Sequence, residues 1–276
     1  MTKPAKQNDT PIRIAKAMAQ AGLCSRREAE RWIEAGRVSV NGKKLDTPAF
    51  TVTSKDKIVV DGNPLPEVEG IRLWRYHKPK GQITTHSDPE GRKTVFSALP
   101  KDMPRVVSIG RLDVSTEGLL LLTNSGALAR HLELPSTGWL RRYRVRAKGR
   151  ITQDRLDALK GGVEIEGVKY GGIDARLDRD QGANTWLTVG LREGKNREVK
   201  KIAAHLGLDV NRLIRISFGP FSLGDLQAGT LEEIKTAVLA EQLGPKIAAE
   251  FGLKVPGKTP AKTRPKKPPM GRRKRK

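Results

Sequence analysis

The stretch that decides the fold is VSIGRLDVSTEGLLLLTN, residues Val107 to Asn124. Leu119 to Leu122 are four consecutive apolar residues, which is typical of a strand buried on both faces of a sheet. Two glycines, Gly110 and Gly118, bracket a loop that leads into this strand, and Asp113 lies in that loop. Catalytic groups are common on loops held by a rigid strand. From the residues alone, Asp113 is as well explained as an ordinary turn aspartate as it is as a catalytic group.

The segments downstream of this strand alternate between strand and helix patterns. Residues 187–191 alternate apolar and polar side chains, as a strand does. An apolar stripe at helical spacing follows and ends at Gly207; it consists of Val199, Ile202, Ala203 and Leu206. Thr230 to Glu233 has the pattern of a capping box, which predicts a helix starting there with Leu231, Ile234, Val238 and Leu239 inward. Strands mixed with separated helices indicate an α+β protein with a largely antiparallel sheet.

The N-terminal part predicts a small basic unit of two helices and short strands. Apolar residues at helical spacing from Ile14 end at Gly22, and Ser25 to Glu28 form a capping box for a second helix that stops at Gly36. Asn41-Gly42 is a strong hairpin signal. Four arginines lie along or after the second helix: Arg26, Arg27, Arg31 and Arg37. One or two would be an ordinary solvated face, but four in so small a unit make a basic platform.

Differences in composition and in the pattern of apolar residues divide the chain into five regions. We expect a disordered N-terminus at 1–11, an RNA-binding domain at 12–62, a linker at 63–70, a larger domain at 71–251 and a disordered basic tail at 252–276. The last 23 residues hold 11 Lys or Arg, five Pro and no acidic residue, which suits a non-specific RNA-binding arm or a solubilising one. Residues 252–259 match the phosphate-loop pattern, but Pro260 follows at once and no helix can start there, so we predict no nucleotide site.

The composition points to a nucleic-acid partner. Lys and Arg total 53 against 30 Asp and Glu, a net charge of +23, and subtracting the 11 charges of the tail leaves +12. Such an excess is unfavourable for a compact protein unless a polyanion binds it. No apolar run approaches the roughly 20 residues of a membrane span, and residues 1–11 lack a signal-peptide core, so we expect no membrane partner. The single cysteine, Cys24, suits the reducing cytoplasm, and no His or Cys pair has metal-ligand spacing, so we expect no metal.

Two sets of motifs resemble a known family. Ala21 to Glu30 together with Gly36 to Gly42 are similar to the S4 RNA-binding domain. Gly110 to Asn124 resembles the catalytic motif of the rRNA pseudouridine synthases that carry such a domain. Further matching stretches follow the family's order, so the resemblance covers residues from about 12 to about 245; they are Tyr76 to Gly81, Arg142 to Val145, Glu193 to Lys201 and Arg212 to Gly219. Asp88 to Arg92 and Asn196 to Val199 are most similar to the members that act on the large ribosomal subunit.

The resemblance implies a fold, a reaction and a set of site residues. It implies a central mixed sheet with the active cleft across it and an isomerisation of uridine to pseudouridine that needs no cofactor. In this family Asp113 corresponds to the nucleophilic aspartate, Lys200 to its basic partner and Tyr143 to the tyrosine that stacks on the target uracil. Leu213 corresponds to a leucine that packs against that base, and Arg111 to a basic residue near the space the flipped base vacates. Many members carry Arg where this chain has Lys200, which keeps the charge but loses the planar fork.

Each of these residues also has an ordinary explanation in the sequence. Lys200 could be a solvated helix residue beside the apolar stripe, Tyr143 a half-buried packing residue and Leu213 a core leucine. Arg111 is equally well explained as a phosphate contact or a surface arginine. For the whole chain, the main expectation is a monomeric synthase acting on large-subunit rRNA or a ribosomal subunit precursor. The alternatives are a synthase for the small subunit, a non-catalytic RNA-binding assembly factor that kept the fold, and a ribosomal protein.

Overall fold

The structure is a computed structural model, and it describes residues 10–255. The two regions expected to be disordered, 1–11 and 252–276, lie outside the described residues except for Thr10, Pro11 and residues 252–255. No helix among residues 10–255 combines the length and the apolar character needed to cross a membrane.

The N-terminal unit contains the two predicted helices, α1 (Ile14–Gln20) and α2 (Arg26–Glu34). Its strands are β1 (Ile12–Arg13), β2 (Val38–Val40), β3 (Lys43–Lys44), β4 (Thr51–Val52), β5 (Ile58–Val60) and β6 (Asn63–Pro64). The predicted capping box is present: the Ser25 hydroxyl accepts from the Glu28 amide at 3.1 Å, and the Glu28 carboxylate accepts from the Ser25 amide at 3.3 Å. Asn41 has a positive φ of 51° and Gly42 of 82°, as the predicted hairpin between β2 and β3 requires.

The larger part of the chain is built around a nine-stranded sheet. Its strands are β7 (Leu73–Lys78), β8 (Val107–Ile109), β9 (Thr116–Thr123), β10 (Arg141–Lys148), β13 (Asp174–Gln181), β14 (Asn184–Leu191), β15 (Asp209–Phe218), β16 (Phe221–Ser222) and β17 (Leu231–Ile234). A separate hairpin is formed by β11 (Val163–Ile165) and β12 (Val168–Tyr170). The α-helices are α3 (Gly126–Glu133), α4 (Gln153–Asp157), α5 (Glu198–His205) and α6 (Thr236–Glu250), and α6 is broken at Gly244-Pro245. Short 3-10 turns lie at Phe96–Ala98, Pro135–Thr137 and Ala158–Gly161.

Strands β9 and β15 are neighbours at the centre of the sheet and join its two halves, and we call this place the junction. The strand order is β13-β14-β10-β15-β9-β7-β17, with β16 paired to β15 and β8 paired to β9. The β9–β15 ladder is parallel, and the other ladders between strands of the described residues are antiparallel. This is the α+β class with a mixed, mainly antiparallel sheet that the sequence predicted. The four leucines Leu119 to Leu122 are all fully buried, as expected for the strand next to this junction.

The two faces of the sheet carry different layers. We call the side of Tyr143, Val145 and Ala147 the front face, and the side of Arg142, Arg144 and Arg146 the reverse face, because successive strand residues point to opposite sides. On the front face, α4 and α5 cover β10, β13 and β14 in one apolar core, and residues 95–112 cover β7 and β9 in another. On the reverse face, α3 and α6 pack on β7 and β9. Tyr143 contacts both front cores, so it lies where the two cores meet.

The predicted helix start at Thr230 was wrong. Residues Leu231 to Ile234 form β17, which pairs with β7, and the helix begins only at Thr236. Glu232 and Glu233, which were to cap a helix, instead form ion pairs across the strand pair with Arg75 at 2.7 Å and Arg72 at 2.5 Å. Pairing with an available sheet edge outweighed a local helix signal that is worth only about 1 kcal/mol.

Candidate active site

Asp113 lies in the loop between β8 and β9, at the junction of the two halves of the sheet. The loop is fixed on both sides of it. Leu112 is buried, its carbonyl accepts from the Thr84 hydroxyl at 2.9 Å, and the Thr116 amide donates to the Asp113 carbonyl at 3.0 Å. The Asp113 side chain remains 37% exposed. A rigid loop therefore presents a carboxylate that a ligand can reach.

Lys200 approaches this carboxylate from the other half of the sheet. It lies in α5, beside the apolar stripe that the sequence predicted, and all four residues of that stripe are buried. Its Nζ is 3.6 Å from the Asp113 Oδ2 and donates a hydrogen bond of 2.6 Å to the Ser115 hydroxyl. The lysine side chain is 19% exposed, so the pair is partly shielded from water. The structure thus brings together two of the predicted residues although 87 positions separate them in the chain.

Tyr143 and Leu213 lie on neighbouring strands of the same junction. Leu213 on β15 is opposite Val145 on β10, and it is also opposite Thr116, the first residue of β9. Leu213 is buried, whereas Tyr143 is half-buried and contacts both front cores. Both side chains therefore belong to the front face, on which Lys200 and its helix also lie.

The remaining predicted residues are Arg111, on the same loop as Asp113, and four arginines of the N-terminal unit. Arg111 is exposed in the loop two residues before Asp113, and no ion pair or hydrogen bond from its guanidinium occurs within residues 10–255. Arg26, Arg27 and Arg31 are exposed on α2 in the N-terminal unit. Arg37 is engaged: it forms an ion pair with Asp61 at 2.5 Å and stacks 4.5 Å above the Trp32 ring.

Lys78 lies close enough to Asp113 to feel its charge, although the sequence analysis gave this lysine no role. It is fully buried at the end of β7, and its Nζ donates to the carbonyls of Thr116 at 2.8 Å and Pro79 at 3.1 Å. Burial lowers the pKa of this ammonium to about 8, while the charges of Asp113 and Glu117 oppose that shift. Trp74, Tyr76 and Lys78 alternate along β7 and are all buried, so the strand period already marks this lysine as inward-facing.

Close packing of the backbone shapes the junction beneath the loop. Gly118 has φ of +103°, and a Cβ there would lie 2.3 Å from the carbonyl oxygen of Arg215 and 2.7 Å from its amide nitrogen. Arg215 is itself buried, and its Nε donates to the Leu119 carbonyl at 2.7 Å. Only glycine fits at this contact, which lets β9 and β15 approach closely enough to set the Asp113 loop beside α5.

The arrangement suits attack on, or stabilisation of, an electron-poor carbon. A carboxylate beside an ammonium can act as a nucleophile or as the counterion of a positive centre. A half-buried tyrosine on the same face offers a ring for stacking and a phenol for hydrogen bonding. Among residues 10–255, no group of three or more His, Cys, Asp and Glu side chains could hold a metal ion.

Comparison with known proteins identifies the family of this chain. Residues 72–205 match the RNA pseudouridylate synthase family, and residues 12–58 match the S4 domain. An uncharacterized RNA pseudouridine synthase of Rickettsia conorii is 46% identical over 227 residues, which cover 82% of this chain and 98% of that protein. The chain belongs to the RNA pseudouridine synthase family. The enzyme is therefore an isomerase, and the resemblance seen in its motifs is confirmed.

Two further relatives of the synthase bear a more specific name. Proteins called ribosomal large subunit pseudouridine synthase B are 37% identical in Pseudomonas aeruginosa and 43% identical in Yersinia pestis. The match to the Pseudomonas protein covers 89% of this synthase and 68% of that relative. The match to the Yersinia protein covers 76% of this synthase and 68% of that relative. A crystal structure of a pseudouridylate synthase has the same fold, with a TM-score of 0.61 at 22% identity, over 84% of this chain and 99% of that one.

Proposed function

We propose that this synthase converts uridine to pseudouridine in ribosomal RNA of the large subunit, with Asp113 as its nucleophile. The observation that carries the proposal is the partly exposed Asp113 carboxylate 3.6 Å from Lys200, on the side of the sheet that also holds Tyr143. The relatives named for the large ribosomal subunit favour that substrate over small-subunit rRNA. The substrate is the assembled or assembling subunit, or its free rRNA.

The reaction moves the ribose from one atom of uracil to another. Asp113 attacks C1′ as the bond from C1′ to N1 breaks, which leaves a ribosyl ester and a free uracil ring. The ring turns, C5 forms the new bond to C1′ and the carboxylate leaves. The C5 proton is lost and N1 gains one, so atoms and charges balance without an oxidant.

The surrounding residues have supporting roles in this proposal. Lys200 holds Asp113 towards the sugar, since its ammonium lies 3.6 Å from the carboxylate. Tyr143 stacks on the uracil and is placed to move a proton, and Leu213 packs against the ring. The target base must leave its stack to reach them, and the exposed Arg111 lies where it can contact the RNA around the vacated position.

The N-terminal unit supplies contacts to folded RNA away from the reacting base. The exposed Arg26, Arg27 and Arg31 on α2 are free for phosphate contacts, which position a protein on RNA without reading its sequence. Arg37, held by Asp61 and stacked on Trp32, helps to shape this surface as well as contributing charge.

The test is a map of new pseudouridines in rRNA that lacks them. Wild-type protein, Asp113→Asn and the surface control Asp225→Asn are incubated with free rRNA and with subunit precursors, followed by carbodiimide primer extension. One new site in large-subunit rRNA, made by wild type and control but not by Asp113→Asn, supports the proposal. A site in small-subunit rRNA overturns the substrate assignment. No site with intact RNA binding would favour an assembly factor, and a site that survives Asp113→Asn rejects the nucleophile.

A further inference from the structure

The reverse face of β10, β13 and β14 is rich in arginine, and no helix among residues 10–255 covers it. The helices α3 and α6 cover this face in a core that contains residues of β7, β9 and β15 and none of β10, β13 or β14. Strand register sets Arg144 opposite Thr188, Thr188 opposite Arg176, and Arg179 opposite Trp186. A shallow concavity here is lined by Arg144, Arg176, Leu177, Asp178, Arg179, Thr188 and Ile216.

Most of the guanidinium groups on this face have no carboxylate partner. Among residues 10–255, no ion pair involves Arg142, Arg144, Arg146 or Arg179. The nearby carboxylates are bound elsewhere: Asp178 to Arg176 at 3.0 Å, Glu117 to Arg212 at 3.0 Å and Asp180 to Arg150 at 3.1 Å. One more carboxylate, Asp174, is exposed at the edge. The face therefore has a surplus of positive charge that residues 10–255 do not neutralise.

Trp186 holds two of these arginines in place. The Arg144 guanidinium lies 4.8 Å from the centre of the indole ring, and that of Arg179 lies 6.0 Å from it. Stacking on an aromatic ring fixes the plane of a guanidinium and leaves its N–H groups free to bind an anion. Arg142, Arg144 and Arg146 follow each other at every second position of β10, which spaces them by about 6.8 Å along one line.

A row of unpaired guanidinium groups, of which Arg144 is stacked on Trp186, suits the repeating phosphates of a nucleic acid backbone. Arginine binds phosphate through two parallel hydrogen bonds, and each neutralised phosphate releases counterions. Because strand residues alternate, this row points away from Asp113, Tyr143 and Lys200, which belong to the front face. We propose that the reverse face is a second RNA-contact surface, which binds the phosphodiester backbone outside the catalytic cleft.

The first experiment measures how RNA binding depends on salt. The probe is a labelled RNA duplex built only of G and C, which offers no uridine to the active site. The full chain is compared with Arg144→Gln/Arg179→Gln and with a charge-matched control, Arg130→Gln/Lys246→Gln, whose residues are exposed on α3 and α6. The slope of log affinity against log salt should fall by about 1.8 for the two lost phosphate contacts and stay unchanged in the control. Equal slopes in the two double variants would overturn the proposal.

The second experiment identifies what touches the surface. A photoreactive amino acid replaces Thr188 at the centre of the face or Lys246 on α6, in full-length protein irradiated in cell extract. A crosslink to RNA from position 188 but not from 246 supports the proposal. A crosslink from 188 to protein and not to RNA would assign the face to a protein partner and reject it. Both double variants should form pseudouridine at the wild-type rate when RNA is saturating. A lower rate would show a loss of catalysis, which is distinct from a loss of RNA binding at the reverse face.

Discussion

Lys200 Nζ lies closer to the Ser115 hydroxyl, at 2.6 Å, than to the Asp113 carboxylate, at 3.6 Å. The hydroxyl can only accept from this ammonium, so it holds the cation beside Asp113 without competing for its charge. The carboxylate therefore keeps its attraction to Lys200 and remains available to a ligand from the open side of the loop.

Two substitutions of Lys200 should show whether catalysis depends on the positive charge of this side chain or on its shape. We expect Lys200→Met to lower kcat for pseudouridine formation roughly 10- to 100-fold, the effect of losing one electrostatic partner in a partly exposed site. Lys200→Arg should keep most of the activity because it restores the charge. The neighbouring Lys201→Met is the control, and steady-state kinetics on one RNA compares the three. Unchanged kcat in Lys200→Met would contradict a role for the pair.

Gly118→Ala should destabilise the protein by about 3 kcal/mol or more. The new Cβ would meet the Arg215 backbone at 2.3 Å, and the φ of +103° is one that L residues rarely adopt. Gly126→Ala is the matched control, since it begins α3 and no atom lies within 4 Å of its added Cβ. Urea unfolding of both variants measures the difference. Similar free energies of unfolding would show that β9 and β15 can move apart there.

The buried Lys78 should make stability depend on alkaline pH. Its pKa is lowered from 10.5 to about 8 by burial, so between these values the unfolded chain binds a proton that the native protein does not. Native stability should therefore rise with pH across this window, on the order of 3 kcal/mol relative to Lys78→Met, which cannot titrate. Urea unfolding of both proteins from neutral pH to about 10.5 tests this. Parallel curves would mean that Lys78 titrates normally.

Cys24 should resist alkylation while the protein is folded. Its side chain is 1% exposed, and burial raises the pKa of the thiol to about 11, so little thiolate forms at pH 8. Iodoacetamide labelling followed by mass spectrometry should show slow modification in buffer and rapid modification in urea. Equal rates would indicate that the core of the N-terminal unit opens readily.

Local signals in the sequence predicted the elements that depend on local contacts. The Ser25 to Glu28 capping box and the Asn41-Gly42 turn are confirmed because each is closed by atoms within three residues of one another. The same capping pattern failed at Thr230 because Leu231 to Ile234 pair with the edge of β7. Arg75 of β7 and Arg72, just before that strand, form ion pairs with Glu232 and Glu233. No local pattern carries information about that distant edge.

The site was predictable only through the family resemblance. Nothing in the spacing of Asp113 and Lys200 says that they meet, because the contact depends on β9 and β15 lying parallel across the centre of the sheet. Lys78 was missed because lysine is usually a surface residue. Its burial could have been predicted only from the alternation of buried residues along β7, which extends to its last residue. The structure brings Asp113 and Lys200 together, and the functional roles of all five residues, with Tyr143, Leu213 and Arg111, stay predictions.

The parallel ladder between β9 and β15 also fixes when the site can exist during synthesis. It pairs Thr116 to Gly118 with Leu213 to Arg215, so the Asp113 loop and α5 are joined through a strand that is translated almost a hundred residues after the loop. A nascent chain that has reached Lys200 but not Leu213 contains both side chains and lacks the residues that pair β15 with β9. The candidate site can consequently form only after about three quarters of the chain has been synthesised.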